Sequence, residues 1–275
     1  VMGLVRRFRY ILVTPSLLNL LAPEEIDAVI GHEIGHIKKK HLLFYLLFFT
    51  GYLVLSYVTF YVTVYAVIFI EPAWRLVHRS GTNAGMMTSI VFSVTIICVF
   101  LVYFRYVFGF FMRNFERQAD GYVFSLFDSA AALISTFHKI SLTSGQPADR
   151  PNWHHFSIRQ RIDFLKKCEQ DRSWIRRHDA RVRRAIGLYL AGLALLAVFG
   201  YQLNMGAMGA KLGDHLIATI ILREIERAPE NPRLYGLLGD MHYRRQNFAE
   251  AQKAYEKSLP LLPDQPLVLN NLASL

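Results

Sequence analysis

Three stretches of this chain, residues 42–70, 80–104 and 185–210, contain no Asp, Glu, Lys or Arg. Each is long enough to cross roughly 30 Å of hydrocarbon as a helix. The pattern predicts a mainly α-helical, multi-span membrane protein and argues against a purely soluble enzyme. None of the three is a signal peptide, because the first begins well inside the chain and has no small-residue cleavage site behind a short apolar core. The start at Val1 and the stop at Leu275 in mid-pattern suggest a fragment of a longer protein. Cys98 lies in the second apolar run and Cys168 in a polar segment, so no disulfide framework is implied.

The formal net charge of +10 raises a nucleic-acid partner as an option, but its distribution points elsewhere. Segments 1–41, 71–79, 105–184 and 211–275 carry net charges of +2, +1, +7 and 0. Lys/Arg-rich segments thus alternate with poorer ones across successive spans, as the positive-inside rule expects if 1–41 and 105–184 share the cytoplasmic side. Segments 71–79 and 211–275 would then face outward. No nucleic-acid recognition motif accompanies the charge, and no nucleic-acid partner is expected. The third run could instead lie in the interface or re-enter, in which case the outer placement of 211–275 fails.

Along the chain, Tyr10-Ile11-Leu12-Val13-Thr14 is β-branched and aromatic and predicts a short strand before Pro15. Pro23 at a first-turn position, with Glu24, Glu25 and Asp27 near the positive end of the dipole, predicts a helix start. Ile26, Val29, Ile30, His36 and Ile37 keep helical spacing, Lys38 to Lys40 sit at the far end, and the helix is expected to run on into the membrane. A compact polar connection is expected at 78–85. Residues 105–184 predict a helix over 109–127, a loop around 144–153, and a further helix from about Ser157.

Residues 232–265 carry Tyr235, Leu238-Gly239, Ala251, Tyr255 and Pro263 at the offsets of the 34-residue tetratricopeptide pattern, with His242 departing from the expected Tyr. Pro229 lies one period before Pro263, and Leu272-Ala273 lie one period after Leu238-Gly239. One repeat plus parts of two neighbours is therefore expected, an ordinary helical hairpin being the simpler alternative. The predicted organisation is a 1–184 membrane domain with spans at about 42–70 and 85–104, a third span and linker at 185–210, and a truncated repeat region at 211–275.

Within the helix after Pro23 stands His32-Glu33-Ile34-Gly35-His36, an HExxH. Two His four residues apart share a helical face and can converge on one Zn²⁺, while Glu33, about 100° round the helix, can reach a water held by the metal. Gly35 leaves room for close approach by substrate or another backbone. With 10 His in the chain, chance alone produces this pattern roughly once in seventy such sequences. The bland alternative is a pair of amphipathic histidines just outside a membrane.

Such a site needs a third protein ligand. The metzincin pattern fails, since Lys39 and Leu42 stand where it requires Gly and His. Residues 42–70 contain no Asp, Glu or His, and Glu71 and His78 are expected across the membrane. His41, five residues after His36 on a continuing helix, points away from the His32/His36 face. Topology therefore selects 105–184, where Glu116 and Asp120, four apart, suit a ligand and an outer acceptor that fixes an imidazole tautomer.

These residues resemble the HtpX-like and CaaX prenyl endopeptidase group of integral-membrane zinc metallopeptidases. The resemblance rests on Pro23-Glu24-Glu25 leading into the HExxH, on Arg113, Glu116, Ala119 and Asp120 in an R-x-x-E-x-x-A-D pattern, and on His155-Phe156-Ser157-Ile158-Arg159-Gln160-Arg161-Ile162, where Phe156 replaces the usual Pro. It covers roughly residues 3–170. It implies a gluzincin-type fold with one Zn²⁺ bound by His32, His36 and Glu116, Glu33 as general base and acid, and Asp120 and Arg113 behind the ligands. It also implies that His155 and Arg161 approach the substrate carbonyl or its oxyanion.

The expected function is a zinc-dependent endopeptidase cutting membrane or misfolded proteins at the cytoplasmic face of a bacterial inner (plasma) membrane. Its expected partners are polypeptide substrates, the lipid bilayer and a protein bound through the repeats, which would face outward. An exposed edge at Tyr10–Thr14 would accept substrate as an added strand. A non-catalytic scaffold and a protease restricted to one processing substrate are the competing readings.

Overall fold

The computed structural model describes residues 3, 6–78, 84–144, 147, 149 and 153–275. It is mainly helical, and among the described residues it contains no strand. The connection expected at 78–85 and the loop expected at 144–153 lie mostly outside the described residues.

The strand expected over Tyr10–Thr14 does not form: residues 11–14 have no regular structure, and the chain turns at once into α1 (Pro15–Leu20). The reason is local. Thr14 is extended and its hydroxyl accepts from Leu17 N–H at 3.4 Å, while Pro15 at the first helical position presets φ and lacks the N–H that would go unpaired. Beyond an isolated β-bridge at Tyr10, this run pairs with no strand among the described residues, and the expected docking of substrate on a strand edge there loses its basis.

Helix α2 (Pro23–Lys38) carries the HExxH. Its start is fixed by Glu25, whose carboxylate accepts the Ala22 N–H at 2.8 Å, the Ser135 hydroxyl at 2.6 Å and the Lys139 ammonium at 2.6 Å. Ser135 and Lys139 belong to α7 (Ala131–Ser144), so one buried carboxylate both caps α2 and ties it to its neighbour. The Lys139 ammonium, with Ser135 and the Ala22 N–H, holds the Glu25 carboxyl down at about 2 from its ordinary 4.5. A depressed carboxyl pKa stabilises the fold fully above pH 4.5 and loses that contribution as pH falls through about 2. In Lys139→Met the acid midpoint of unfolding is expected to move to higher pH, with stability near neutrality down by roughly 1–3 kcal/mol. Acid titration followed by circular dichroism checks this; an unmoved midpoint contradicts it.

Helix α2 does not run on into the membrane as expected. It ends at Lys38, Lys40 adopts φ 59°, and α3 (His41–Phe69) starts anew. Three successive Lys favour the negative end of the dipole and mark that stop. Further on, α5 (Ala84–Val102) passes through a π-helical turn at Tyr103–Phe108 into α6 (Gly109–Tyr122) without a break. The second apolar run thereby leads directly into the Glu116/Asp120 segment. Helix α8 (Ile158–Gln170) is opened by a reciprocal cap in which Ser157 and Gln160 exchange hydrogen bonds at 3.3 and 3.2 Å. Helix α9 (Ser173–Asn204) begins polar and becomes the third apolar run. Three helices, His41–Phe69, Gly85–Ser125 and Ser173–Asn204, are long and apolar enough to cross a membrane.

The chain divides into two compact units, residues 1–56 with 96–196, and 57–95 with 197–275. The first has a core of Ala28, Val123, Leu133, Phe137, Ile162 and Leu165, drawn from α2, α7, α8 and the end of α6, and a second cluster of Phe48, Phe111, Phe115 and Val182. In the second unit, α4 (Glu71–His78) accepts Arg223 of α10 (Ala207–Arg227) on Glu71 at 2.9 Å. Helices α11 (Pro232–Arg244) and α12 (Phe248–Ser258) pair closely, with Ala251 and Tyr255 fully buried. A Cβ at Gly239 would stand 2.3 Å from the Tyr255 ring, so only glycine fits there. Tyr255 donates to Asp240 at 2.7 Å, and Asn271 of α13 (Pro266–Ala273) donates to the same carboxylate at 3.0 Å.

Candidate metal centre

Helices α2 and α6 pack at Gly35, where a Cβ would stand 2.9 Å from Tyr122 Cβ and 3.0 Å from Ala119 Cα. The glycine inside the HExxH thus serves close approach by another backbone. That approach brings the (i, i+4) pair of α2 over the (i, i+4) pair of α6.

His32 Nε2 and His36 Nε2 are 3.2 Å apart. His32 Nε2 lies 3.6 Å from Glu116 Oε2, and His36 Nε2 lies 3.4 Å from Glu116 Oε1. Ligand atoms on a tetrahedral zinc with bonds of ~2.0–2.1 Å are separated by about 3.3–3.4 Å. The pairwise separations are close to that spacing, and among the described residues these three are the group able to hold a metal, with one ligand atom from each within 4.8 Å of the others. The donor set, two neutral imidazoles and one carboxylate, is that of a catalytic zinc with one position open.

The surroundings fix these ligands. His32 Nδ1 is 3.0 Å from Asp120 Oδ1, within ion-pair distance but not aligned as a hydrogen bond. Asp120 is fully buried and takes Arg161 in a fork, at 2.8 Å from Nε and 2.5 Å from Nη2. Burial works against the Arg161 charge, yet Asp120 and Glu116 outweigh it and hold the guanidinium protonated beyond its ordinary range. Asp120 thus lies beside the Nδ1 side of His32, away from Nε2. Arg161, expected at the substrate carbonyl, is instead engaged with Asp120 and lies 3.4 Å from Glu116 Oε2. Its place follows from the Ser157 cap, which sets it one turn into α8.

His155 is brought to the centre, with Nδ1 3.3 Å from Glu116 Oε2 and a half-exposed ring. Arg113 is not behind the ligands: its Nη1 donates to Trp153 O at 2.6 Å, holding the backbone just ahead of His155. Phe156, the departure from Pro, takes the Arg117 guanidinium on its ring face at 3.9 Å. Glu33 lines a cavity of about 650 Å³ together with His36, Glu116, Tyr45, Leu43 and Met112. Apolar walls beside a carboxylate and two ligands suit an extended polypeptide side chain.

His41 corrects the sequence reading. Because the helix phase restarts after the left-handed Lys40, His41 Nδ1 comes to 2.9 Å from His36 Nδ1, and its ring stacks on Phe115 at 4.3 Å and 5°. His41 Nε2 contacts Gln118 Oε1 at 3.2 Å, Gln118 Nε2 donates to Asp179 Oδ1 at 2.7 Å, and Lys39 donates to Asp179 Oδ2 at 2.6 Å. If His36 ligates through Nε2 it must donate through Nδ1, and every later link then has one consistent direction down to Asp179. The Lys38–Lys40 run was the sequence signal for the restart; nothing marked Gln118 or Asp179. His41→Phe keeps a ring on Phe115 and removes the acceptor, and is expected to weaken zinc binding roughly 10–100-fold. Competition with a chromophoric chelator measures this, and an unchanged zinc affinity would remove His41 from the ligand's support.

The sequence model of peptidase family M48 matches residues 1–186, a stretch that contains the HExxH, Glu116, Asp120, His155 and Arg161. No curated protein and no solved structure matches the chain.

Proposed function

The chain belongs to peptidase family M48, whose members are zinc metalloproteases, and on that footing we propose that it is a zinc-dependent membrane endopeptidase of the HtpX-like type. The observation that carries this reading is the convergence of His32, His36 and Glu116 at 3.2–3.6 Å, beside a cavity into which Glu33 faces.

Zinc held by these three residues supplies polarisation of the scissile carbonyl and a lowered pKa for water. Glu33 takes the proton of the attacking water and passes it to the leaving amine. Asp120, held by Arg161, orients His32, and the His41–Gln118–Asp179 chain orients His36. His155, beside Glu116 and half-exposed, is the group placed to meet developing negative charge on the substrate. Its substrates are membrane or misfolded polypeptides, cut on the side that carries the Lys/Arg-rich 1–41 and 105–184 segments, the cytoplasmic one. The Gly239/Tyr255 packing supports reading 232–265 as a tetratricopeptide-type repeat that recruits a protein partner.

The test is metal analysis of the detergent-solubilised chain alongside casein digestion with and without a chelator. Roughly one zinc per chain and digestion that stops on chelation is the expected result. Bound zinc with no digestion favours a scaffold or a narrowly restricted protease, and digestion indifferent to the chelator contradicts the metal mechanism.

A further inference from the structure

Beyond the metal centre, the first compact unit has a second polar concavity. A cavity of about 420 Å³ is lined by Arg117, Lys167, Arg177 and Arg181, with His178, Trp174 and a single acid, Asp163. A second of about 600 Å³ shares Arg177 and Arg181 and adds Arg176, Arg184, Ala185 and Leu188, with no acid on its wall. Among the described residues none of these six cations forms an ion pair with a carboxylate, unlike Arg161 or Lys39. Arg117 packs on Phe156 and Phe164 at 3.9 and 5.0 Å, and its buried Nε has no hydrogen-bond partner. Lys167 and Arg177 both stand 5.7 Å from the Trp174 ring centroid.

Six cations whose cavity walls carry a single acid repel one another, and a guanidinium with an unused donor is costly to bury. A phosphate group relieves both, since its oxygens accept from several guanidinium forks at once. The remaining question is what carries the phosphate. Arg177, Arg181, Arg184 and Leu188 follow one another at helical spacing on α9 and so form one stripe. The stripe passes from three cations to an apolar residue within the same cavity, where α9 becomes the charge-free run from 185. That lining matches a molecule with a phosphate at one end and an acyl chain at the other. A cluster of this size at the foot of a spanning helix is also where anionic headgroups concentrate.

We propose that the Arg117/Lys167/Arg177/Arg181 cavity and its extension along Arg184 and Leu188 bind the phosphate headgroup of an anionic phospholipid. The site is separate from the zinc chemistry and depends only on α9 crossing the bilayer.

The full chain in detergent micelles would be titrated with short-chain phosphatidylglycerol, phosphatidylcholine and inorganic phosphate, with bound lipid counted by native mass spectrometry. Phosphatidylglycerol is expected to bind more tightly than phosphatidylcholine. At about fivefold per cation removed, the Arg177→Gln/Arg181→Gln double variant is expected to bind phosphatidylglycerol roughly 25-fold more weakly. Both positions are exposed, so the fold is spared. Arg183→Gln removes the same charge from the same helix but lies outside both cavities, and is expected to change affinity by less than about twofold. Equal affinity for the two lipids overturns the proposal. So does a loss in Arg183→Gln as large per charge as in the double variant, because the attraction would then be diffuse. Displacement of phosphatidylglycerol by an equal concentration of inorganic phosphate would assign the site to soluble phosphate compounds and overturn the lipid assignment.

Discussion

Glu33→Gln is expected to keep its zinc and to lose peptidase activity by a factor of at least ~10²–10⁴, the usual contribution of a positioned general base. Glu33 follows His32 on α2 and faces the cavity that also holds His36 and Glu116. The amide has the shape of the carboxylate, so the helix and the ligand spacing survive. It cannot accept the proton of the attacking water, so the loss falls on kcat with KM little changed. Zinc content and casein cleavage measured on the same preparation separate the two effects. Full activity would remove Glu33 from the mechanism, and loss of zinc would make it a structural residue.

The second large effect is expected at Glu116. Its carboxylate is the one negative ligand and has His32, His36, His155 and Arg161 within 3.3–3.6 Å. Glu116→Ala leaves two imidazole ligands 3.2 Å apart without the carboxylate that offsets the nearby Arg161 guanidinium, whose charge opposes a divalent cation. Zinc affinity should fall by more than the roughly 100-fold upper limit typical of an outer partner, and cleavage with it. Glu116→Gln, which keeps the volume, should fail in the same way. Asp120→Asn is expected to be milder, because it weakens the support of His32 while the three ligands remain. A metal load undiminished in Glu116→Ala would eliminate it as a ligand.

How far the centre could be read from the chain depends on which interactions are local. His32 and His36 share a face because four residues on a helix always do; counting crossings selected 105–184, and the four-residue spacing of Glu116 and Asp120 singled out Glu116 within it. Both inferences needed only helix geometry and charge-free runs. His41 was misplaced for a physical reason: the phase count assumed an unbroken helix through Lys40, and one left-handed residue resets it. Tyr10–Thr14 has β propensity, but among the described residues it makes no more than an isolated bridge at Tyr10, and Thr14 with Pro15 starts a helix. The positions of Arg113 and Arg161 could not be read at all. Each is set by a long-range partner, Trp153 O in one case and Asp120 in the other, which no local pattern encodes. The cationic cavity shows in the sequence only as the Lys/Arg excess of 105–184, which the positive-inside pattern also accounts for.

The central claim is that His32, His36 and Glu116 together hold one zinc. X-ray absorption at the zinc edge of the loaded chain tests it most directly. The expected spectrum has two imidazole nitrogens and carboxylate or water oxygen at ~2.0–2.1 Å, and one fewer oxygen donor in any zinc that Glu116→Ala retains. A sulfur shell near ~2.3 Å, or a third imidazole such as His41 or His155 in the first shell, would contradict it.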